Sequence, residues 1–476
     1  MKKILLLALI LAACSPQYHT SLATPTEQYV AFPGCVGFGC NTPAGMGGVV
    51  IAVTNLNDSG TGSFRAAVSQ SGARIVVFNV SGTIQLSSHI IIDNPYITIA
   101  GQTSPNGIQI KGGGIKIRTH DVVIRGLMIR PGNEAAGVKF DDRSGILIQN
   151  DKNTTQPYNI VIDHNSLEWG VDENANLWNP QGSHDITFSN NIIAEGLQCA
   201  GHPKGCHSMG LAVGYGQKNL TVYANLFASN DWRNPIFQSD VTAEVINNLL
   251  YNWIGGGIIM QGTGQGPNFL NVLGNFTMPT TCSYGTGVQI DSYDAGSKLY
   301  TDAPIISPVL SSSPAFPLSG LPVMSKGEAY SYVLNNAGAR NDAIDQRIKL
   351  LTKPNGKCAI DSQSEVGGWA VIPAGTYPDS NRDGLPDGVV DVEGWINSFY
   401  TSTLTSTPTK VPTSTPTKTA IPATNTATST PTFIPATIVT DTPIPSKTAT
   451  STPAPIATTC SLIFQDTSYN FLACTH

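Results

Sequence analysis

The sequence predicts an all-β chain wound as a parallel solenoid. Its 476 residues include 47 Gly and 32 Pro, too many helix breakers for a coiled coil or a helical bundle. Short apolar runs recur, each about one strand long and bounded by Gly, Asn, Asp or Ser: "ARIVVFNV", "PYITIAGQ", "DVVIRGLMIR", "NIVIDHNSLEW", "DITFSNNIIAEG", "NLTVYANLFAS", "AEVINNLLYNW" and "NFLNVLGNF". Aligning the last five brings Asn165, Asn191, Asn225, Asn248 and Asn275 into register, at steps of 26, 34, 23 and 27 residues. Repeats of that size with strand-like content indicate stacked β-coils. Each Asn amide is expected to bond its equivalents in the coils on either side and so satisfy a sharp turn. Their role is read as structural.

Taken in chain order, Met1-Lys2-Lys3 and the apolar run from Ile4 to Ala13 form an export signal over residues 1–13. "LAAC" resembles a bacterial lipobox, in which Cys14 would carry the lipid and hold the protein at the cell surface or outer membrane. Ordinary cleavage near the alanines, giving a secreted protein, is the alternative. No later stretch is apolar for the ~20 residues that a membrane-spanning helix needs, so membrane contact is expected only through the lipid. Removing Cys14 leaves eight of nine cysteines, an even number that suits an oxidising compartment. The simplest of many pairings joins Cys35 to Cys40, Cys199 to Cys206, Cys282 to Cys358 and Cys460 to Cys474. "SGTGSFRAAVSQSG" suggests a short helix from Ser63 to Gly72 that caps the open end of the solenoid. The 34-residue step contains "GLQCAGHPKGCHSMG", where an inserted loop would leave the coil. Residues 402–459 repeat Thr, Ser and Pro and read as an extended linker. The final stretch, 460–476, is too short for a core of its own and reads equally as a partner-binding knob or an inert tail. The net charge of -6 gives no footprint for nucleic acid.

These segments resemble the secreted pectate lyases of the right-handed parallel β-helix type. The resemblance runs from Ala31 to about Trp395 and rests on "AFPGCVGFGCNTPAGMGG", "VTNLNDSGTGSFRAAV", "IVVFNVSGTI", "YITIAGQTSPNG", "VIDHNSLEWGVDEN", "HSMGLAVG", "WRNPIF", "VINNLLYNW", "VLNNAGARNDAIDQRI" and "IDSQSEVGGW". It implies a right-handed, single-stranded parallel β-helix over residues 25–398 with polygalacturonate or pectin as substrate; the chain is expected to be monomeric. It also implies β-elimination assisted by Ca²⁺, which takes hard oxygen ligands and acidifies the C–H beside the uronate carboxylate.

By the same resemblance, Asp172 is a calcium ligand, joined by Glu173 and Asn176. Asp142 supplies a ligand from the preceding coil, slightly upstream of the family position, which here is Ser144. Arg233 matches the catalytic base. Arginine normally keeps its proton, and a neighbouring divalent cation disfavours the charged form. Where many relatives carry a second arginine this chain has Gln238, so Lys204 and His207 become the candidates for holding a substrate carboxylate. His207 is also the rival base. Asp163 and His164 are read as scaffold, with His164 sharing a face with Ile162 by strand alternation. In "DSNRDGLPD", residues 379–387, Asp379, Asn381, Asp383 and Asp387 with Gly384 resemble a thrombospondin-type calcium loop. Two other classes stay open: a two-carboxylate glycoside hydrolase on the same fold, and a glycan-binding β-helix without catalysis.

Overall fold

The computed structural model of the chain describes residues 29–149, 156–179, 181–207 and 209–399, together with the backbone of 459–466 and 469–475. The export segment, Cys14 and all but the last residue of the 402–459 linker lie outside the described residues.

Three parallel sheets run the length of the solenoid. The first has ten strands, from Val49–Val53 to Lys298–Thr301. The second has eight, from Ile90–Ile92 to Val288–Ile290, and the third eight, from Gly82–Gln85 to Phe276–Met278. One coil is Tyr158–Asp163 in the first sheet, Ser166–Glu168 in the third and Glu173–Leu177 in the second; His184–Ser189 then re-enters the first. Because a parallel strand bonds only to the coils beside it, every coil must place its β-branched and aromatic residues in step. Ile160 stands beside Ile186 and then Leu220, and Ile162 beside Phe188 and then Val222. All six are buried in one continuous core, and each such side chain contributes roughly 1.5–3 kcal/mol on burial.

The asparagine ladder forms as expected. Backbone N–H groups of Asn165, Asn191, Asn225 and Asn248 donate to Oδ1 of the next asparagine at 2.9, 2.9, 2.8 and 2.9 Å. Each Nδ2 reaches back to a carbonyl of the preceding coil, as Asn225 does to Phe188 at 2.9 Å. The first rung extends to a coil without asparagine, where Leu127 N–H donates to Asn165 at 3.1 Å.

The N-terminal segment covers the outer face of the first sheet. There Phe38 and Gly39 donate to the hydroxyls of Thr221 and Thr187 at 3.1 and 3.0 Å. A Cβ on Gly39 would lie 2.3 Å from the Ile160 carbonyl oxygen, so only glycine allows that approach. The capping helix is shorter than expected, Phe64–Val68, with Ser63 as N-cap and Ser69 as C-cap. It buries Phe64 and Val68, and the polar "SQSG" that follows offers nothing apolar to bury, so further turns gain no packing.

Downstream, the helices Lys326–Asn336 and Ala343–Lys349 pack on the third sheet. A fully buried Arg130 fastens the second of them by bonding Glu168, Asp342 and Asp345 at 2.7, 2.7 and 2.9 Å. Residues Thr459–Asp466 and Tyr469–Thr475 form an antiparallel hairpin, a separate unit in which Cys460 and Cys474 are backbone partners. The other three expected disulfides, Cys35–Cys40, Cys199–Cys206 and Cys282–Cys358, are formed.

Substituting Asn225→Ala orphans the buried N–H of Asn191 and the carbonyl of Phe188. It should lower stability by about 2–4 kcal/mol, since each unsatisfied buried group costs about 1–3 kcal/mol. Denaturant unfolding measures this, and a loss under about 0.5 kcal/mol, the size of an ordinary surface change, would show that the ladder does not stabilise the stack.

Candidate active site

The site lies at the start of three neighbouring strands of the second sheet, Glu173–Leu177, Met209–Val213 and Ile236–Phe237. Each coil contributes one part. The first gives Asp172, Glu173 and Asn176. The second gives the loop closed by Cys199–Cys206, which carries His202 and Lys204, with His207 just after it. The third gives Arg233.

A second amide network holds the turns beneath. Asn174 donates to Ala194 O and to Asn230 Oδ1, both at 2.9 Å, and Asn230 donates to Asn234 Oδ1 at 2.9 Å. Arg233 has a left-handed φ of 61°, and its carbonyl accepts from Leu211 N–H at 2.7 Å. That anchored turn sends the side chain across two coils, where Nη1 donates to Glu173 Oε1.

Glu173 is nearly inaccessible, at 2% exposure. Burial pushes its carboxyl up, but Arg233 and hydrogen bonds from Asp172 and Asn176 outweigh that and hold it below the usual range. Asp172 is pushed up to about 9, first by burial and then by the charge and hydrogen bond of Glu173; Arg233 and Lys204 oppose this only in part. The two carboxyls therefore titrate as one pair, with Asp172 pushed up and Glu173 held down. Asn176 donates Nδ2 to Glu173 Oε2 at 2.9 Å, while its Oδ1 is buried without a hydrogen-bond partner. Two adjacent carboxyls and an orphaned amide oxygen are hard donors short of positive charge, and they fit Ca²⁺.

Asp142 does not join this group: its carboxylate lies 3.5 Å from His89 Nε2. The short 3-10 turn Phe140–Asp142 ends before the chain enters the sheet, which turns Asp142 toward His89. Ser144 occupies the position beside the pair and accepts from Glu173 N–H at 3.3 Å.

His202 was not among the expected residues. Its Nε2 is 3.5 Å from Asp172 Oδ1, and His207 Nε2 is 3.6 Å from the same oxygen. Two histidines and an aspartate with ligand atoms within 4.8 Å of one another suggest a transition-metal site, yet two features oppose it. The rings are stacked, 3.9 Å between centroids and inclined by 17°, so their nitrogen lone pairs run side by side instead of converging. His202 Nδ1 also accepts from Lys204 N–H at 3.1 Å, which leaves the ring hydrogen on Nε2, the atom a metal would need bare. His202 thus carries its ring hydrogen on the nitrogen 3.5 Å from Asp172 Oδ1. The HxxxxH spacing around a disulfide loop was the available signal.

Two more expectations meet the structure away from the site. Asp163 is buried and bonds Arg125, His164, Ser189 and Asn190 at 2.9, 2.6, 2.7 and 3.0 Å, a scaffold network. His164 does not share a face with Ile162, because its left-handed φ of 49° breaks the alternation and sets it beside Asp163. In the 379–387 loop the acids bond the loop itself. Asp379 accepts from the amides of Asp383 and Gly384 at 3.1 and 3.0 Å, and Asp387 from Ser380 N–H at 2.7 Å.

No protein-family model matches the chain. Curated sequences do. "Probable pectate lyase C" of Aspergillus oryzae is 34% identical over 394 residues, covering 77% of this chain and 88% of that protein. The protein of the same name from Emericella nidulans is 32% identical over 399 residues, covering 78% and 89%. Among solved structures, a pectate lyase from Bacillus sp. N165 in complex with trigalacturonate aligns with 64% of this chain and 98% of that one, at 18% identity and a TM-score of 0.45. The sequence relatives, matched over most of both chains, put this protein among the polysaccharide lyases. More narrowly, the chain belongs to the pectate lyase family.

Burial, with the neighbouring charges of His202 and Arg233, pulls the His207 imidazole down to about 4. Its folded value lies below the unfolded one, so the unfolded chain binds more protons between about pH 6.5 and 4. Stability from this residue is therefore full above that window and is lost as pH falls through it. An NMR titration of the ring should show a midpoint near pH 4; an ordinary midpoint would mean that the loop leaves His207 open to water.

Proposed function

We propose that the protein is an exported, calcium-dependent pectate lyase that cleaves polygalacturonate by β-elimination to give unsaturated oligogalacturonates. The observation that carries this reading is the approach of Arg233 to the Asp172–Glu173 pair from two coils away. Asp172, Glu173 and Asn176 would hold Ca²⁺, which when bound withdraws charge from the substrate carboxylate and makes the C5 proton more acidic. A bound divalent cation would disfavour the charged guanidinium, so that Arg233, having given up its extra proton to water, would take the C5 proton in its neutral form; the C4–O bond breaks as C4=C5 forms, and the departing oxygen gains a proton from water. A base role requires Arg233 to exchange its contact with Glu173 for the substrate. Lys204, exposed on the disulfide loop, and His207 lie where they could hold a neighbouring uronate. A hydrolase would need carboxyls separated by roughly 5–9.5 Å, whereas Asp172 and Glu173 lie close enough to shift each other's titration.

The three disulfides agree with export to an oxidising compartment. Anchoring through a lipid on Cys14, a monomeric state and a structural calcium ion in the 379–387 loop complete the reading on sequence grounds.

Ultraviolet absorbance of the unsaturated product distinguishes the classes: new reducing ends without it mean a hydrolase, and neither signal means a binding protein. Arg233→Lys should reduce kcat by about 10²–10⁴-fold, the usual contribution of a general base, with KM, folding and calcium uptake near normal. Retained turnover in Arg233→Lys together with loss in His207→Ala would transfer the base role to the histidine. Chelation should abolish activity, and full turnover in excess chelator would remove calcium from the mechanism. Asp383→Ala should mainly lower the melting temperature; unchanged melting and calcium stoichiometry would reduce the loop to an ordinary acidic turn.

A further inference from the structure

Arg233 has few side-chain contacts for a residue that reaches over two coils. Its Nη1 donates to Glu173 Oε1, while its Nε is buried without a hydrogen-bond partner. The aim of the side chain therefore rests on the turn that carries it, residues 230–234. Asn230 ties one end of this turn to Asn174 at 2.9 Å, and Asn234 Nδ2 ties the other to Gly256 O at 2.9 Å. Asp231 faces both ways at once. Its Oδ2 accepts from Gln198 Nε2 at 3.0 Å, in the coil before, and its Oδ1 from Gly255 N–H at 3.2 Å, in the coil after. The Asp231 carbonyl oxygen also accepts from the N–H groups of Ile254 and Gly255, at 3.0 and 2.7 Å. A Cβ on Gly255 would lie 3.3 Å from Asp231 Oδ1, and one on Gly256 2.9 Å from Trp232 Cδ1. The next coil thus leaves a bare seat for the two residues that precede Arg233.

Gln198, at the other end of this bridge, stands at the neck of the disulfide loop. Its N–H donates to Ile360 O at 2.7 Å and its carbonyl accepts from His207 N–H at 2.6 Å. The adjacent Cys199 N–H donates to Asp361 Oδ1 at 2.9 Å. The backbone of Gln198 therefore secures the loop that carries His202, Lys204 and His207, and its side chain secures the turn that carries Arg233. A carboxylate suits the position between them, because it offers two acceptor oxygens and can take one N–H from each side.

We propose that Asp231 is a positioning residue for the lyase reaction: by bridging Gln198 and Gly255 it locks the Arg233 turn to the disulfide loop and holds the guanidinium at the height of the reacting uronate. The assignment rests on the reading of Arg233 as the base and adds the part that aims it. Misplacing a reacting group by about 1 Å can cost on the order of 10²-fold in rate, so the bridge acts on kcat, while the grip on substrate is left to other residues.

Steady-state kinetics on polygalacturonate test this, with melting curves to confirm folding. Asp231→Ala should lower kcat by about 10–100-fold and Gln198→Ala by roughly 3–10-fold, with KM near the wild-type value. Asp231→Asn should recover most of the kcat lost in Asp231→Ala: its Oδ1 still accepts from Gly255, and Gln198 can turn its amide to offer Oε1 to the new Nδ2. In an Arg233→Lys background Gln198→Ala should have little further effect, the non-additivity of residues that act through one group. A purely structural residue would lower both backgrounds alike, and that result overturns the assignment. Wild-type kcat in Gln198→Ala also overturns it, and this variant decides alone if Asp231→Ala does not fold, since the Gln198 side chain is partly exposed. Asp231→Asn no better than Asp231→Ala would make the charge the operative feature and sink the bridge. Each of these leaves Arg233 as the base; full turnover in Arg233→Lys removes the base reading itself, and the positioning role with it.

Discussion

Everything in this molecule depends on the register of one coil against the next. A parallel strand has no partner within its own coil, so the backbone is satisfied only if neighbouring coils stop and turn at the same height. The ladder from Asn165 to Asn275 enforces that height by tying each turn to the ones before and after it. The proposed active site inherits the constraint. Its acids, its disulfide loop and its arginine come from three successive coils, and their spacing is the coil spacing. A slip of one residue in the strand Met209–Val213 would separate Arg233 from Glu173 as surely as deleting either.

The site carries a high concentration of charge in little water. Glu173 is buried, the carboxyl of Asp172 is pushed up by burial and by its neighbour, and Arg233 supplies a counter-charge. Such a group is stable only as a neutralised set, so the charge of Arg233 offsets the buried carboxyls here. The same logic governs the Arg130 cluster, where burial pushes Glu168 up and the facing arginine opposes it. One cluster is sealed beneath helices and serves attachment. The other opens onto the cleft and can exchange its partners.

Much of this was readable before any coordinates, and the reason differs by residue. The asparagine ladder and the solenoid were legible because a repeated chemical need leaves a repeated letter. Cys35–Cys40 and Cys199–Cys206 were legible because cysteines close in sequence have few other partners, and Cys282–Cys358, 76 residues apart, because it is what the local pairs leave over. Arg233, Asp172 and Glu173 were reached through resemblance, since spacing alone cannot bring residues 60 apart into contact. His202 escaped because its role depends on a loop conformation fixed by a disulfide and by the Lys204 amide. Asn174 and Asn230 escaped for a similar reason: they serve turns of the second sheet and fall outside the ladder's register. Asp142 and His164 show the limit of alternation rules. A 3-10 turn redirected the first and a single left-handed residue the second, and neither event is written in the local pattern of apolar residues.

The division of labour among coils also bears on how such a chain can change over generations. The residues proposed to carry the chemistry occupy coils that must stay adjacent, whereas the flanking coils meet the same bonding rule at any count. Gaining or losing a whole coil before Arg118 or after Gln261 would therefore lengthen or shorten the groove without disturbing the reacting atoms, whereas the same event between Asn174 and Asn234 would be lethal to catalysis. The ladder that makes the stack rigid is thus also what makes it divisible, and natural length variation should gather at its two ends.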